Sequence, residues 1–278
     1  MMATNDAPSR RDQRRAEEAE RAARGEGFKK TRNAQASYGA QLRQLARQVA
    51  RIIEALVPEA EADTPLSPSQ IARIDVALAA YAKAITPWAR ATTARMIAEV
   101  SRRDKTAWEA YARGMGLALR KELAEAPIGP HVEQLMGEQV DLITSLPIDA
   151  AQRVHEKTLE AISLSGRFPE REAEIKEALA EAHPYQTQKW LANRATLIAR
   201  TETARTASVV TQARAEYVGA ESYIWKTAGD WKVRPSHRKL AGSVQRWDSP
   251  PLSDPPDYHS HPGQIWNCRC VALPIIPE

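Results

Sequence analysis

The sequence predicts a mainly α fold: a helical N-terminal assembly followed by a small α+β C-terminal unit built from a long helix, a short sheet and a proline-rich loop. Three observations predict it. Alanine is heavily used while Phe (2) and Tyr (7) are scarce, which favours close-packed helices. Apolar residues recur at steps of three and four from Leu42 to Tyr217. After Gly219 that period gives way to aromatic and β-branched runs and to clustered prolines.

The elements follow in order. Residues 1–33 form a charged arm that mixes Arg10, Arg11, Arg14 and Arg15 with Glu17, Glu18 and Glu20 and carries almost no apolar stripe, so it reads as disordered. A helical domain is expected over 34–147. Leu42, Leu45, Val49, Ile52, Ile53 and Leu56 share one helix face. Ser67-Pro68-Ser69-Gln70 has the form of a capping box with proline in the first turn, and Ile71, Ile74, Leu78, Tyr81 and Ile85 follow at helical spacing. Thr86-Pro87 restarts a helix that runs towards Glu125 through Met96, Val100, Trp108, Tyr111, Met115 and Leu119. Pro127, Gly129 and Pro130 break it. Val132 to Leu146 marks another helix, ended by Pro147, and Asp149 reads as the next N-cap.

The remaining unit is expected over 148–278. Gly166 stops one helix and a short one follows Pro169. Gln188–Tyr217 is the best-patterned helix, with Leu191, Ala195, Ile198, Thr206, Val209 and Ala213 on one face. Glu202 interrupts that face. A buried carboxylate must be paired, and Arg200, Arg205, Arg234, His237 and Arg269 are the available partners. Ser222–Thr227 reads as a strand, Leu240–Trp247 as a shorter extended piece, and Ile265–Ile276 as the strand that closes a small sheet.

A length of 278 residues suits one large domain or two ordinary ones. The formal charge of +4 is mild, which excludes a dedicated DNA binder; the basic arm allows only weak, salt-sensitive contact with DNA. Cys268 and Cys270 are the only cysteines, and a C-x-C ring is too strained for a disulfide, so they are thiols or metal ligands in a reducing compartment. No apolar run approaches the ~20 residues needed to cross a bilayer, and the charged N-terminus is no secretory signal. The expectation is assembly in a host cytoplasm with no membrane partner.

The residues with most chemistry lie near the end: Asp230, Val233, Arg234, Ser236, His237, Leu240 and Gly242, then Pro262, Gly263, Asn267, Cys268, Arg269 and Cys270. Preceded by Arg200-Thr201-Glu202 on a helix and by a strand ending in Trp225-Lys226, this succession resembles the phage Mu F-like family of head morphogenesis, or minor capsid, proteins of tailed bacteriophages. The resemblance covers about residues 150–275 and marks 148–278 as a Mu F-like head morphogenesis domain. It implies a non-enzymatic minor capsid protein that acts in procapsid assembly at or near the portal. Its implied partners are portal and capsid or scaffold proteins, and its implied place is the phage head interior, retained in the virion with DNA in some cases.

Arg200, Glu202, Asp230, Arg234, Ser236, His237, Gly242, Asn267, Cys268, Arg269 and Cys270 then constitute a structural motif with no catalytic residue. Some members of the family carry Cys-x-x-Cys where this chain has Arg234-Pro-Ser-His237. Arginine cannot ligate zinc, so the favoured reading has no metal: a packed knot in which Arg234 and Arg269 hydrogen-bond backbone carbonyls and Glu202. His237, His261, Cys268 and Cys270 remain the zinc candidates, four N/S ligands of the kind zinc prefers. The alternative function is a metal-dependent hydrolase or nuclease using the C-terminal His/Cys cluster, with Asp230, His237, His259, His261 and Glu202 as ligands or bases. Against it stands the absence of a P-loop, of H-E-x-x-H and of G-x-S-x-G.

Overall fold

Ser67 shows how local chemistry sets the helix boundaries. Its hydroxyl accepts from the Gln70 backbone N–H at 3.3 Å, its own N–H donates to Gln70 Oε1 at 2.7 Å, and Pro68 takes the first helical position. The expected capping box therefore forms. The computed structural model describes residues 26–29, 31–57, 64–112, 125–167, 170–182, 184–254 and 256–276. The charged arm up to residue 25, and Met115 and Leu119, lie outside them.

The helices are α1 (Arg32–Leu56), α2 (Pro68–Ala84), α3 (Thr86–Tyr111), α4 (Gly129–Arg167), α5 (Glu172–Ala182), α6 (Pro184–Tyr217) and the short α7 (Pro235–Leu240). The strands are β1 (Ser222–Lys226), β2 (Val244–Arg246), β3 (Leu252–Asp254), β4 (Tyr258–His259) and β5 (Val271–Ile275). Strands β2, β1 and β5 form an antiparallel sheet in that order, with Ile224 opposite Val244 on one side and Leu273 on the other. β3 and β4 make a separate hairpin within the proline-rich segment.

The expected break at Pro147 does not occur. α4 runs through it without interruption. An interior proline removes one backbone donor and costs about 3 kcal/mol. Burial offsets that cost: Leu146, Pro147, Ala150, Ala151 and Val154 are all buried, so the turn around the proline is apolar and packed.

The chain divides into two units that interleave in sequence. One, the helical unit, comprises Gln35–Met96 and Gln134–Glu202. Its core holds Tyr38, Leu42, Ile53, Ile74, Leu78, Ile143 and Leu146, each at most 2% exposed. Ion pairs join its helices. Lys157 on α4 reaches Glu181 on α5 at 2.6 Å, and Arg194 on α6 reaches Asp149 on α4 at 2.6 Å. The Trp190 ring lies beneath the guanidinium groups of Arg153 and Arg194.

The other, the sheet unit, comprises Met1–Ala34, Ile97–Glu133 and Thr203–Glu278. Its core gathers Phe28, Trp108, Tyr223, Trp225, Trp247, Ile265, Cys268, Cys270 and Leu273. Phe28 belongs to the segment read as a loose arm, yet it is buried edge-on against Trp108 at 5.6 Å in a 3₁₀ turn, Glu26–Lys29. A single aromatic in a polar stretch gives no periodicity, and burial of that ring is what orders the turn. Helix α6 ends as Gly219 invites: with φ +74° it lets Ala220 N–H reach Ala215 O and its own N–H reach Glu216 O, a Schellman closure.

A second buried feature of this unit has no counterpart in the sequence reading. Asp104 on α3 accepts from Arg214 and, at 2.5 Å, from Thr211 Oγ1 on α6. Both charged side chains are at most 5% exposed. Burial pushes the Asp104 carboxyl up to about 6, against the opposing pull of Arg214 and Thr211.

Candidate functional site

The candidate site is assembled by α7 and the turn that leads into β5. Residues 261–270 form two tight turns, closed by Gln264 N–H to His261 O at 3.2 Å and Cys268 N–H to Ile265 O at 3.1 Å. Two residues adopt left-handed backbone. Gly263 has φ +86°, and a Cβ there would stand 3.0 Å from the Ala204 carbonyl. Asn267 has φ +60°, a conformation that asparagine tolerates better than most residues. These turns deliver the chain in extended form through Cys268-Arg269-Cys270. Extended side chains alternate, so both thiols face inward while Arg269 faces solvent.

His237 meets the two thiols from α7. Its Nδ1 lies 3.6 Å from Cys268 Sγ and 3.5 Å from Cys270 Sγ, and all three residues are buried. Cys268 Sγ also receives the backbone N–H groups of Gly263 at 3.3 Å and Cys270 at 3.4 Å. The Cys270 thiol, chiefly, and those donors hold Cys268 well below the usual thiol range against the opposing effect of burial. Cys270 is pushed up by the neighbouring Cys268 sulfur and by burial. The edge of Trp225 closes the site, its ring 5.3 Å from that of His237.

Arg269 holds Asp230 through Nη1–Oδ2 at 2.5 Å and Nη2–Oδ1 at 2.6 Å, and Asp230 Oδ1 also accepts from Lys232 N–H. These bonds, that to Arg269 foremost, draw the Asp230 carboxyl below its ordinary range. The carboxylate that Arg269 grips is thus Asp230, not the Glu202 suggested by the sequence. Arg234 does meet a backbone carbonyl, that of Trp266 at 2.9 Å. Gly242, at φ +82°, donates its N–H to the Trp225 carbonyl at 2.8 Å and so fixes the bend between α7 and β2. Ser236 is half-buried on α7.

Arg200 and Glu202 lie on α6 in the helical unit. Glu202 is buried. Its charge adds to the burial that raises the Tyr38 phenol, while the Thr93 hydrogen bond lowers it. His261 does not join the thiols. Its Nδ1 is hydrogen-bonded to the Tyr223 hydroxyl at 3.0 Å, and its ring packs against Trp247. Of the four zinc candidates, three converge. His259 is exposed and bonds the Pro250 carbonyl. The groups a hydrolase would need are therefore engaged separately rather than pointed at one substrate position.

Sequence reasoning missed α7, because a six-residue helix opened by Pro235 is too short to show a period. It did not foresee that Tyr223 and Trp247 pack on His261 while Trp225 packs on His237; the alternation Tyr223-Ile-Trp225 was the available signal, since β1 buries those two aromatics on one face.

Residues 152–273 match the family described as Phage Mu protein F like protein. Over that segment the chain is similar to the phage Mu F-like family. The Mu F-like segment contains the whole His237–Cys268–Cys270 cluster, its Asp230–Arg269 clamp and the sheet except its last residues. A Haemophilus influenzae protein described as uncharacterized is 29% identical over 162 residues, which are 58% of this chain. The chain spans about a third of the length of that relative, 33%. No solved structure matches the chain. Among the described residues, no helix is long and apolar enough to cross a membrane.

Proposed function

We propose that this Mu F-like protein is a minor component of a tailed-phage head, acting in procapsid assembly at or near the portal and staying in the particle with the packaged DNA. The observation that carries the reading is the family match across residues 152–273. The arrangement of side chains supports it. Asp230, His259 and His261 are each engaged in holding the local fold together, through Arg269, the Pro250 carbonyl and Tyr223. Trp231, Trp266 and Tyr258 are 81%, 50% and 51% exposed on the loops around the sheet, and aromatic side chains of this kind serve as anchors for a protein partner. Portal and capsid or scaffold proteins are the partners proposed, with weak DNA contact through Arg10 to Arg32.

The test is a phage or prophage in which the gene is interrupted and then supplied from a plasmid. Particles made without the protein are expected to lose infectivity or to change in portal content, and the plasmid copy is expected to restore them. Particles of normal composition and infectivity would refute the proposal. Cosedimentation of the purified full chain with portal protein separates portal contact from a role elsewhere in the head.

A further inference from the structure

The two thiols and the imidazole are arranged in a way that hydrogen bonding alone does not satisfy. A neutral imidazole nitrogen has either one lone pair or one proton. His237 Nδ1 can therefore serve one sulfur, yet Cys268 Sγ and Cys270 Sγ stand at 3.6 and 3.5 Å from it, all but equidistant. A cation between the three atoms accounts for both distances. With zinc–sulfur bonds of about 2.3 Å and a zinc–nitrogen bond of about 2.0–2.1 Å, tetrahedral angles separate sulfur from nitrogen by roughly 3.6 Å. The three ligand atoms all lie within 4.8 Å of one another, as one coordination sphere requires.

The surroundings suit a bound cation as well. Cys268 Sγ accepts two backbone N–H groups, from Gly263 and Cys270. Such donors stabilise a metal-bound thiolate and aim its lone pairs. The left-handed turns at Gly263 and Asn267 present both sulfurs on one side, and Trp225 covers the histidine. The same residues would otherwise bury polar groups in a core of Trp225, Ile265 and Ala272. Thiolate and imidazole together select a soft or borderline divalent ion.

We infer that His237 Nδ1, Cys268 Sγ and Cys270 Sγ bind one zinc ion, which ties α7 to the turn preceding β5. Three protein ligands leave one vertex for a solvent molecule. His261 is outside the set because its Nδ1 is bonded to Tyr223. The ion closes loops of 31 and 33 residues, |i−j| from His237 to Cys268 and Cys270.

The full chain, purified under reducing conditions without chelator, is expected to hold about one zinc per molecule by elemental analysis. Replacement of that zinc by cobalt should give thiolate-to-metal charge-transfer absorption and a first shell of two sulfurs and one imidazole nitrogen by X-ray absorption. Cys268→Ser and His237→Ala should each abolish stoichiometric retention, while His261→Ala should keep it. A wild-type chain that is metal-free and takes up no cobalt overturns the inference. So does a bound metal whose first shell lacks sulfur, or one lost with His261→Ala and kept with His237→Ala. The wild-type readings stand even if the variants fail to fold.

Discussion

Arg269 and Asp230 are joined at two points across 39 residues of chain, with both nitrogen–oxygen distances at 2.5–2.6 Å. The clamp lies at the surface and its inner neighbours are Cys268 and Cys270. A guanidinium fork matches a carboxylate in a way that an ammonium cannot. Arg269→Lys and Asp230→Asn are therefore expected to leave the global unfolding midpoint nearly unchanged while speeding hydrogen exchange at the Cys268 and Cys270 amides. Unchanged exchange would mean that the turn holds its shape without the clamp.

Arg214 behaves differently because it is buried. Arg214→Met removes the cation opposite Asp104 and leaves a carboxyl in an apolar site between α3 and α6. Removal of one partner of a buried pair costs about 3–5 kcal/mol. Denaturant unfolding should show a loss of that order. The double variant Arg214→Met with Asp104→Leu should recover much of it, because no uncompensated charge remains.

His261 gives the sheet unit a sensitivity to acid. Its imidazole is held below its ordinary value of 6.5, chiefly by burial, which disfavours the charged ring. The unfolded chain takes up a proton at 6.5 while the folded one resists. The contribution is thus complete above pH 6.5 and is lost as pH falls through the lower folded value. Unfolding midpoints measured from pH 8 to pH 5 should fall more steeply for the wild-type chain than for His261→Gln.

Gly263 is fixed by geometry. Its φ of +86° disfavours any side chain, and a Cβ would press on the Ala204 carbonyl at 3.0 Å. Gly263→Ala is expected to cost about 1–3 kcal/mol, read by thermal unfolding. Gly166→Ala, on helix α4 and with nothing within 4 Å, is the contrasting case and should lose no stability, gaining up to about 1 kcal/mol.

Phe28→Ala tests whether the Glu26–Lys29 turn is part of the core. Loss of a buried phenylalanine costs about 3–5 kcal/mol. A change within a few tenths of a kcal/mol by chemical unfolding would show that the ring adds nothing to stability.

Much of this architecture could be read from periodicity and caps. The stripe from Leu42 to Leu56, the Ser67–Gln70 box and the Gly219 stop each encode their structure within a few residues. What escaped was set by distant partners. Pro147 reads as a break because the packing that overrides it comes from elsewhere in the unit. Asp104 and Arg214 are 110 positions apart, and nothing near either one announces the other. In the candidate site the residue types were legible, and so was the C-x-C alternation. The choice of Asp230 over Glu202 for Arg269, and the diversion of His261 to Tyr223, are matters of where the turns point.

Tyr111 donates to the Pro274 carbonyl across 163 positions, and the Phe28 turn packs near the same final strand. The sheet unit thus cannot complete its core until Val271–Ile275 has left the ribosome. Its folding is expected to be slowed by long loop closure. Phe28 and Trp108, made earlier, must wait with apolar surface uncovered, so the yield of folded protein becomes sensitive to chaperone supply and to temperature during synthesis.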